Sequence, residues 1–264
     1  MKELPILRLD LKRAIAEARK DLIAEEEPLH IMVDSHHVAT IICSPAKRKE
    51  LAIGHLLSEG LLRSLDEVDD VVIEGQRCRV ILKQGLDVGE RIRLARPFAR
   101  VVLTSCGSPD YWPLSKLVDR LRIPRLRARV RVSARTALEA TKALNRLAST
   151  FRKTGGVHVA ALWSIDGALI AVAEDVGRHN ALDKVIGAAA LQGQDFSRTL
   201  LSTSGRLTGD MVLKASRVGI PVVSSMAAPT TSGIEVAMRT GLTLAGFARG
   251  WRMNVYTHPE RIAL

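Results

Sequence analysis

The hydrophobic pattern between residues 28 and 98 predicts a small unit of strands around one helix. Short apolar, β-branched runs separated by Asp, Gly and Ser are typical of strands joined in hairpins. Two hairpins are predicted, one around Asp34-Ser35 and one around Gly75-Gln76. Between them, Ser44-Pro45 is a typical helix start, and apolar residues continue at helical spacing to Leu61. The predicted strands cover residues 29–33, 38–43, 71–73, 78–82 and 92–95.

Further along the chain, apolar runs alternate with helical segments, which is typical of helices packed on a sheet. Ser133 is placed to cap a helix whose apolar positions run from Leu138 to Phe151. The later predicted strands cover residues 157–163, 169–172, 200–203, 222–224 and 242–247. The later predicted helices cover residues 178–191, 209–218 and 232–240. We therefore predict a mixed α/β (α+β) chain, with a smaller α+β domain over 28–100 and a layered domain over 101–264.

Residues 1–27 are predicted to form an N-terminal extension. Leu11, Ile15, Ala18 and Leu22 recur at helical spacing and predict a peripheral amphipathic helix. The segment lacks the apolar core of a signal peptide, and no uncharged stretch of the chain reaches the ~18 residues of a membrane span. We therefore expect a cytoplasmic protein without a membrane segment.

The composition indicates a globular protein in a reducing compartment. Of the 264 residues, 47% are hydrophobic, which allows a sizeable core without disulfides. Cys43, Cys78 and Cys106 are odd in number and far apart, which argues against a disulfide framework. The sequence has no C-x-x-C pair for a structural zinc site, so we predict no bound metal.

The charge balance points to an anionic partner. The formal net charge is +11, and arginines greatly outnumber lysines. Guanidinium groups suit bidentate recognition of phosphate or carboxylate, so nucleic acid, a nucleotide cofactor and an acidic protein are all candidates. A solvated surface rich in arginine explains the charge equally well. An aromatic content of only 3% argues against base stacking on single-stranded nucleic acid.

Cys106 is the strongest candidate for a nucleophile. It follows the apolar run Val101-Val102-Leu103 and precedes Gly107 and Pro109, as at the end of a strand. Backbone N–H groups at such a junction lower a thiol pKa and favour the thiolate. The alternative is a small buried core residue, which is the usual fate of a free cysteine.

Arginines alternate with apolar residues over residues 125–131. In a strand, this spacing places the guanidinium groups of Arg125, Arg127, Arg129 and Arg131 on one face. Charge that protects a sheet edge is the favoured explanation. A site for phosphates or an acidic partner is the alternative.

Three segments place hydrogen-bonding side chains where strands end or begin. His158 opens a predicted strand, and Arg178 and His179 lie in the first turn of a predicted helix. Ser204-Gly205-Arg206 follows another strand, where α/β sheets bind ligands. Helix N-termini and glycine-rich turns supply N–H groups for anions. Structural roles for His158 and the carboxylates of Glu174 and Asp175 remain alternatives.

A turn between two strands, with an arginine on each side, is predicted at residues 247–252, Phe247-Ala248-Arg249-Gly250-Trp251-Arg252. The arginines could clamp a phosphate while Phe247 or Trp251 stacks on a base. A basic hairpin tip without a ligand is the simpler interpretation of this segment alone.

Taken together, these segments resemble the FdhD/NarQ family of formate dehydrogenase accessory sulfurtransferases. The resemblance extends from about residue 27 to the C-terminus. It is carried above all by TSCG, AEDVGRHNALDKVIG and GLTLAGFARGWRMNVYTHPERI. It implies a cytidine-deaminase-like C-terminal domain beside a smaller N-terminal one, and a homodimer. A zinc deaminase is excluded as a function because that chemistry needs a P-C-x-x-C segment for its zinc ligands, and the sequence has none.

The resemblance also implies a function. Family members accept persulfide sulfur from a cysteine desulfurase and deliver it to the molybdenum or tungsten bis(guanine dinucleotide) pterin cofactor of formate dehydrogenase. Cys106 matches the persulfide carrier, and the segment 247–252 matches the part assigned to the cofactor. Our further candidates for holding the cofactor are His158, Arg178, His179, Ser204, Gly205 and Arg206.

One position departs from the family pattern. Pro109 stands where the family has a second cysteine, three residues after Cys106. A single thiolate can still accept and donate sulfane sulfur by exchange. The alternative function is a non-catalytic chaperone that binds the same cofactor.

Overall fold

The computed structural model describes residues 1–86, 89, 91, 123, 125–127 and 129–264. The predicted strand 92–95, Cys106 and Pro109 lie outside the described residues. The mixed α/β character predicted from the sequence is confirmed, since helices pack against two main sheets. Within the described part of the chain, no helix is long and apolar enough to cross a membrane.

The N-terminal segment forms a hairpin, so the predicted amphipathic helix is wrong. Strand β1 (Lys2–Asp10) pairs antiparallel with β2 (Ile15–Ile23). Asp10 Oδ1 accepts hydrogen bonds from the backbone N–H groups of Lys12 and Arg13, each at 3.0 Å, and so closes the turn. The helical spacing of apolar residues was coincidental because this turn divides the segment into two strands.

Residues 27–82 follow the N-terminal hairpin and form a second unit, which contains both predicted hairpins. Its sheet has the order β4-β3-β6-β5, and β3 runs parallel to β6. Alternate residues Leu29, Ile31 and Val33 are buried against helix α1 (Arg48–Ser58). The strands are β3 (Glu27–Val33), β4 (His36–Cys43), β5 (Val68–Glu74) and β6 (Arg77–Leu82).

The C-terminal half is built on a six-stranded sheet with the order β13-β12-β11-β10-β8-β9. Strands β10, β11 and β12 are parallel, whereas β8, β9 and β13 are antiparallel to their neighbours. The strands are β8 (His158–Ser164), β9 (Leu169–Asp175), β10 (Thr199–Thr203), β11 (Val222–Ser225), β12 (Thr243–Arg249) and β13 (Arg252–Thr257). Each prediction for this sheet is therefore confirmed to within a few residues.

Helices cover both faces of this sheet because alternate strand residues are apolar on both sides. On one face, α2 (Ala134–Leu147) shares an apolar cluster with strand residues such as Ala161 and Leu200. On the other face, α4 (Arg178–Ala190), α5 (Gly209–Arg217) and α6 (Thr231–Thr240) share a second cluster with residues such as Leu162 and Leu201. The Ser133 hydroxyl accepts from Thr136 N at 2.9 Å and caps α2, as predicted. The helices are α2 (Ala134–Leu147), α3 (Ser149–Thr154), α4 (Arg178–Ala190), α5 (Gly209–Arg217) and α6 (Thr231–Thr240). A short strand β7 (Val132–Ser133) pairs with β14 (Ile262–Ala263).

The arginine-rich segment before β7 is not the predicted strand. In its described residues, Leu126 N donates to Thr240 O at 2.7 Å, at the end of α6, rather than to a neighbouring strand. Val130 is buried, while the four alternating arginines are exposed. The favoured explanation, protection of a sheet edge, therefore does not apply to them.

Helix α1 of the second unit and helix α4 of the C-terminal half cross in close contact and join these two parts in one core. A Cβ added to Gly54 would lie 1.7 Å from the carbonyl oxygen of Asp183, and one added to Gly187 would lie 1.9 Å from that of Glu50. Only glycine at these two positions lets the backbones approach so closely.

A buried ionic network lies at the same junction. Lys214 Nζ is 2.8 Å from both Asp183 Oδ2 and Glu59 Oε1, and it donates to the Ser58 hydroxyl at 2.9 Å. Ser58 in turn donates to Asp183 Oδ1 at 2.8 Å, and His55 lies 3.3 Å from Asp183 Oδ2. The network therefore connects α1, α4 and α5.

We expect this network to make the folded state sensitive to acid. Burial alone would raise the pKa of Asp183, but the charge of Lys214 and the contact with His55 lower the pKa to about 2. Because the folded pKa lies below the unfolded one, the stabilisation is complete above about pH 4 and is lost as the pH falls towards 2. The free energy of unfolding should fall by about 2 kcal/mol over this range. Urea unfolding at several pH values measures this free energy. In Asp183→Asn, the free energy of unfolding should change less steeply with pH between about 4 and 2. An unchanged slope in that variant would contradict the assignment.

Candidate functional site

The sheet topology brings the predicted site residues to one edge. The carboxyl ends of β10, β11 and β12 meet there, together with the start of β8 and the end of β9. Helices α4, α5 and α6 all begin at this edge, each as the next helix after β9, β10 and β11 in turn. Their N-terminal N–H groups give the edge a positive electrostatic potential.

His158 and Ser204 meet at the mouth of a cavity of about 460 Å³. His158 Nδ1 lies 3.4 Å from the Ser204 hydroxyl oxygen, which also accepts from Val159 N at 3.0 Å. Ser204 N donates to Val159 O at 2.9 Å and holds the turn after β10 against the start of β8. The cavity is lined by Asn145, Ala148, Phe151, Gly155, Gly156, Val157, His158, Val159, Val176, Ser204 and Met226.

Arg178 and Gly205 lie against each other at the start of α4. A Cβ on Gly205 would lie 2.9 Å from Cβ of Arg178, so glycine permits this close approach. Gly205 N donates to the Thr203 hydroxyl at 3.2 Å, and Gly205 O accepts from the Ser225 hydroxyl at 2.7 Å. The Nε and Nη2 atoms of Arg178 are buried and have no hydrogen-bond partner among the described residues. A guanidinium with two buried, unused donors is suited to an anionic ligand.

His179 pairs with Asp210, a residue that our sequence analysis missed. His179 Nε2 lies 2.5 Å from Asp210 Oδ2, and Met211 N donates to Asp210 Oδ1 at 3.0 Å. Burial would raise the pKa of Asp210, but the contact with His179 and the hydrogen bond from the Thr208 hydroxyl lower the pKa well below its usual range. Asp210 therefore stays ionised and fixes the His179 ring. An acidic residue in the first turn of α5 was the available signal, but it is usual in helices.

The cations of this edge act on His158. Burial lowers the pKa of His158, and the nearby charges of Arg178, His179 and Arg206 lower it further. His158 is therefore a neutral imidazole at physiological pH, able to donate or accept a hydrogen bond. The six predicted residues around the β10 end, His158, Arg178, His179, Ser204, Gly205 and Arg206, thus form one cluster that we call the anion cluster.

The predicted turn between two strands at residues 247–252 is present at the same sheet edge. Phe247 has a positive φ of 52°, and its N–H donates to Ala227 O at 3.1 Å, beside the end of β11. The Arg249 guanidinium lies over the Phe247 ring, with Cζ 5.4 Å from its centroid. This tip is therefore near the anion cluster but separated from it by β11.

Trp251 does not join the cavity beside His158. Its side chain is 84% exposed, and Lys142 Nζ lies 4.8 Å from the ring centroid. It lines a separate groove of about 530 Å³ between α2 and β13, together with Arg252. Stacking of a base on Trp251 would therefore take place on the α2 side of the sheet.

The carboxylates of Glu174 and Asp175 have structural contacts, as the simpler interpretation held. Glu174 accepts from Thr150 N at 2.9 Å and from Phe151 N at 2.8 Å, at the start of α3. Asp175 accepts from Gly177 N at 2.9 Å just before α4. Neither carboxylate is free for acid–base chemistry.

Two of the three cysteines are unsuited to nucleophilic chemistry. Cys43 and Cys78 are completely buried, and burial raises the pKa of each thiol to about 11. Both thiols are therefore protonated at neutral pH and closed to a reaction partner. Cys106 lies outside the described residues and stays the predicted nucleophile.

Comparison with known proteins agrees with this picture over nearly the whole chain. A protein from Anaeromyxobacter sp. strain K named sulfur carrier protein FdhD is 38% identical, with 93% of this chain and 90% of that protein covered. One of the same name from Sulfolobus acidocaldarius is 36% identical, with 96% of each covered. A crystal structure described as a formate dehydrogenase accessory protein from Desulfotalea psychrophila is 25% identical, covers 99% of both chains and has a TM-score of 0.77. The FdhD/NarQ family model matches residues 24–263, and this chain therefore belongs to the FdhD/NarQ family.

Proposed function

We propose that this protein is a sulfur carrier in formate dehydrogenase maturation. The names of its relatives and the matching fold support the role. In the chain itself, the observation that carries the proposal is the inertness of the other thiols, since Cys43 and Cys78 are buried and protonated. Cys106 is then the carrier residue, and a cysteine desulfurase is the donor.

The proposed transfer is a thiolate exchange. The Cys106 thiolate attacks the terminal sulfur of a donor persulfide, the S–S bond of the donor breaks, and the donor leaves as a thiolate. Cys106 then carries the sulfane sulfur as a persulfide. In the second step an acceptor nucleophile attacks that outer sulfur and releases the Cys106 thiolate. Neither step needs a second cysteine, so Pro109 is compatible with the carrier role.

We also propose that the anion cluster and the tip 247–252 hold the acceptor, a molybdenum or tungsten bis(guanine dinucleotide) pterin cofactor. The fit rests on charge and hydrogen bonding: three helix N-termini and the Arg178 guanidinium, with two buried and unused donors, meet at this edge. Phosphates of a dinucleotide are the natural partners of such groups. Phe247 and Trp251, each beside a cation, offer aromatic surfaces for a guanine.

Replacing Arg178 should weaken nucleotide binding. Arg178→Gln removes the guanidinium charge while keeping polar atoms, and a charge-assisted hydrogen bond contributes about 1.5–3 kcal/mol. We expect the Kd of guanosine diphosphate to rise by about 10- to 100-fold in isothermal titration. The exposed Arg198, at the opposite end of β10, is the matched control, and Arg198→Gln should leave the Kd unchanged. Equal weakening in both variants would show that net charge alone attracts the nucleotide.

A cofactor chaperone without sulfur transfer is the second candidate, favoured by Pro109. It shares the binding site but not the thiol chemistry. The two functions are separated by testing whether a variant without the Cys106 thiol still supports formate dehydrogenase maturation.

A further inference from the structure

A buried network fastens the turn that presents Arg178 and His179. Asp175 ends β9 and Lys184 lies on α4; both are fully buried, and Lys184 Nζ is 2.5 Å from Asp175 Oδ2. The Asp175 carboxylate also accepts three hydrogen bonds: from Ser44 N after β4 at 3.0 Å, from Gly177 N in the turn at 2.9 Å and from Asn180 Nδ2 on α4 at 2.9 Å.

The network also reaches across to the second unit at the end of β4. Lys184 Nζ donates to Ser44 O at 2.9 Å, and the Ser44 hydroxyl accepts from Val176 N at 3.2 Å. Asn180 Nδ2 donates in addition to Ile42 O at 2.8 Å. The turn 176–179 is therefore held from β9, from α4 and from the chain that follows β4.

We propose that Asp175 and Lys184 are positioning residues for the anion cluster. The inference rests on the proposed cofactor-binding function. A buried ion pair contributes little net stability compared with apolar side chains of the same volume. Its multiple directional contacts instead fix the backbone that carries Arg178 and His179. Ligand groups held to within about 0.5 Å require this kind of support from their neighbours.

The chain contains a matched control in its second buried network. Lys214 is paired with Asp183 as Lys184 is paired with Asp175, but it connects α1, α4 and α5 and does not touch the turn 176–179. Each substitution removes one buried ammonium group: Lys184→Met leaves the Asp175 carboxylate without it, and Lys214→Met leaves those of Asp183 and Glu59 without it. Both variants should lose stability in urea unfolding.

The two variants should differ at the site. We expect Lys184→Met to raise the Kd of guanosine diphosphate by about tenfold or more, because a displaced Arg178 loses charge-assisted hydrogen bonds to the phosphates. Lys214→Met should change it by less than about twofold. In the ligand-free protein, the imidazole NMR resonances of His179 should shift in Lys184→Met and keep their positions in Lys214→Met. Equal effects in the two variants, or an unchanged Kd and spectrum in Lys184→Met, would overturn the proposal.

Ser44→Ala tests the inference if Lys184→Met does not fold. It removes only the hydroxyl that accepts from Val176 N, so the fold should persist while the Kd rises about threefold or more. No change in either the Kd or the His179 resonances would count against positioning. If the wild-type protein itself does not bind the nucleotide, the cofactor-binding function fails, and the His179 spectra still decide whether the network holds the turn.

Discussion

Cys106→Ser should abolish sulfur transfer and formate dehydrogenase maturation. When the protein is incubated with a cysteine desulfurase and ³⁵S-cysteine, wild type should acquire a label that dithiothreitol releases, and Cys106→Ser should acquire none. Loss of a covalent nucleophile can reduce a reaction by up to ~10⁶-fold. Formate dehydrogenase activity in a strain that depends on this protein should therefore fall to background.

The buried cysteines supply the controls. Cys43→Ala and Cys78→Ala remove thiols whose pKa is raised to about 11 by burial, so labelling should persist in both. Equal labelling of Cys106→Ser and wild type, or no labelling of wild type, would refute the carrier role. Maturation that proceeds normally with Cys106→Ser would establish the chaperone function instead.

Gly54→Ala should lower the free energy of unfolding far more than an ordinary glycine-to-alanine substitution. In an exposed helix interior, alanine is favoured over glycine by about 1 kcal/mol. Here the new Cβ would lie 1.7 Å from the Asp183 carbonyl oxygen, so α1 and α4 must separate and the core between them must open. We expect a loss of about 3–5 kcal/mol, which is at the high end for a single substitution. For a chain of this size the melting temperature should fall by about 10 °C.

Gly193→Ala is the control for this prediction. Gly193 has a positive φ of 71° and open space around its Cα, so alanine introduces backbone strain but no collision. It should cost about 1 kcal/mol. A Gly54→Ala protein as stable as Gly193→Ala would show that the helix contact is looser than the structure indicates. Calorimetry or urea unfolding measures both variants.

The C-terminal half was well predicted because its strands carry strong local signals. The strand predicted at 157–163 is His158–Ser164, and the helix predicted at 178–191 is Arg178–Ala190. Strands of a sheet that helices cover on both faces are largely apolar, and the turns between them carry glycine, serine and threonine. The N-terminal hairpin was missed because nine-residue strands with mostly exposed residues have little apolar periodicity to distinguish them from a helix.

By itself, the sequence determined the class of fold, the family and the segments that carry the candidate site, since these depend on local composition and on motifs such as EDVGRHN. Tertiary structure alone decided which side chains meet. Asp210 reaches His179 from 31 residues away, and Trp251 faces α2 rather than the cavity beside His158. Strand order and helix crossing set these contacts, and both depend on packing between distant segments, which no local pattern records.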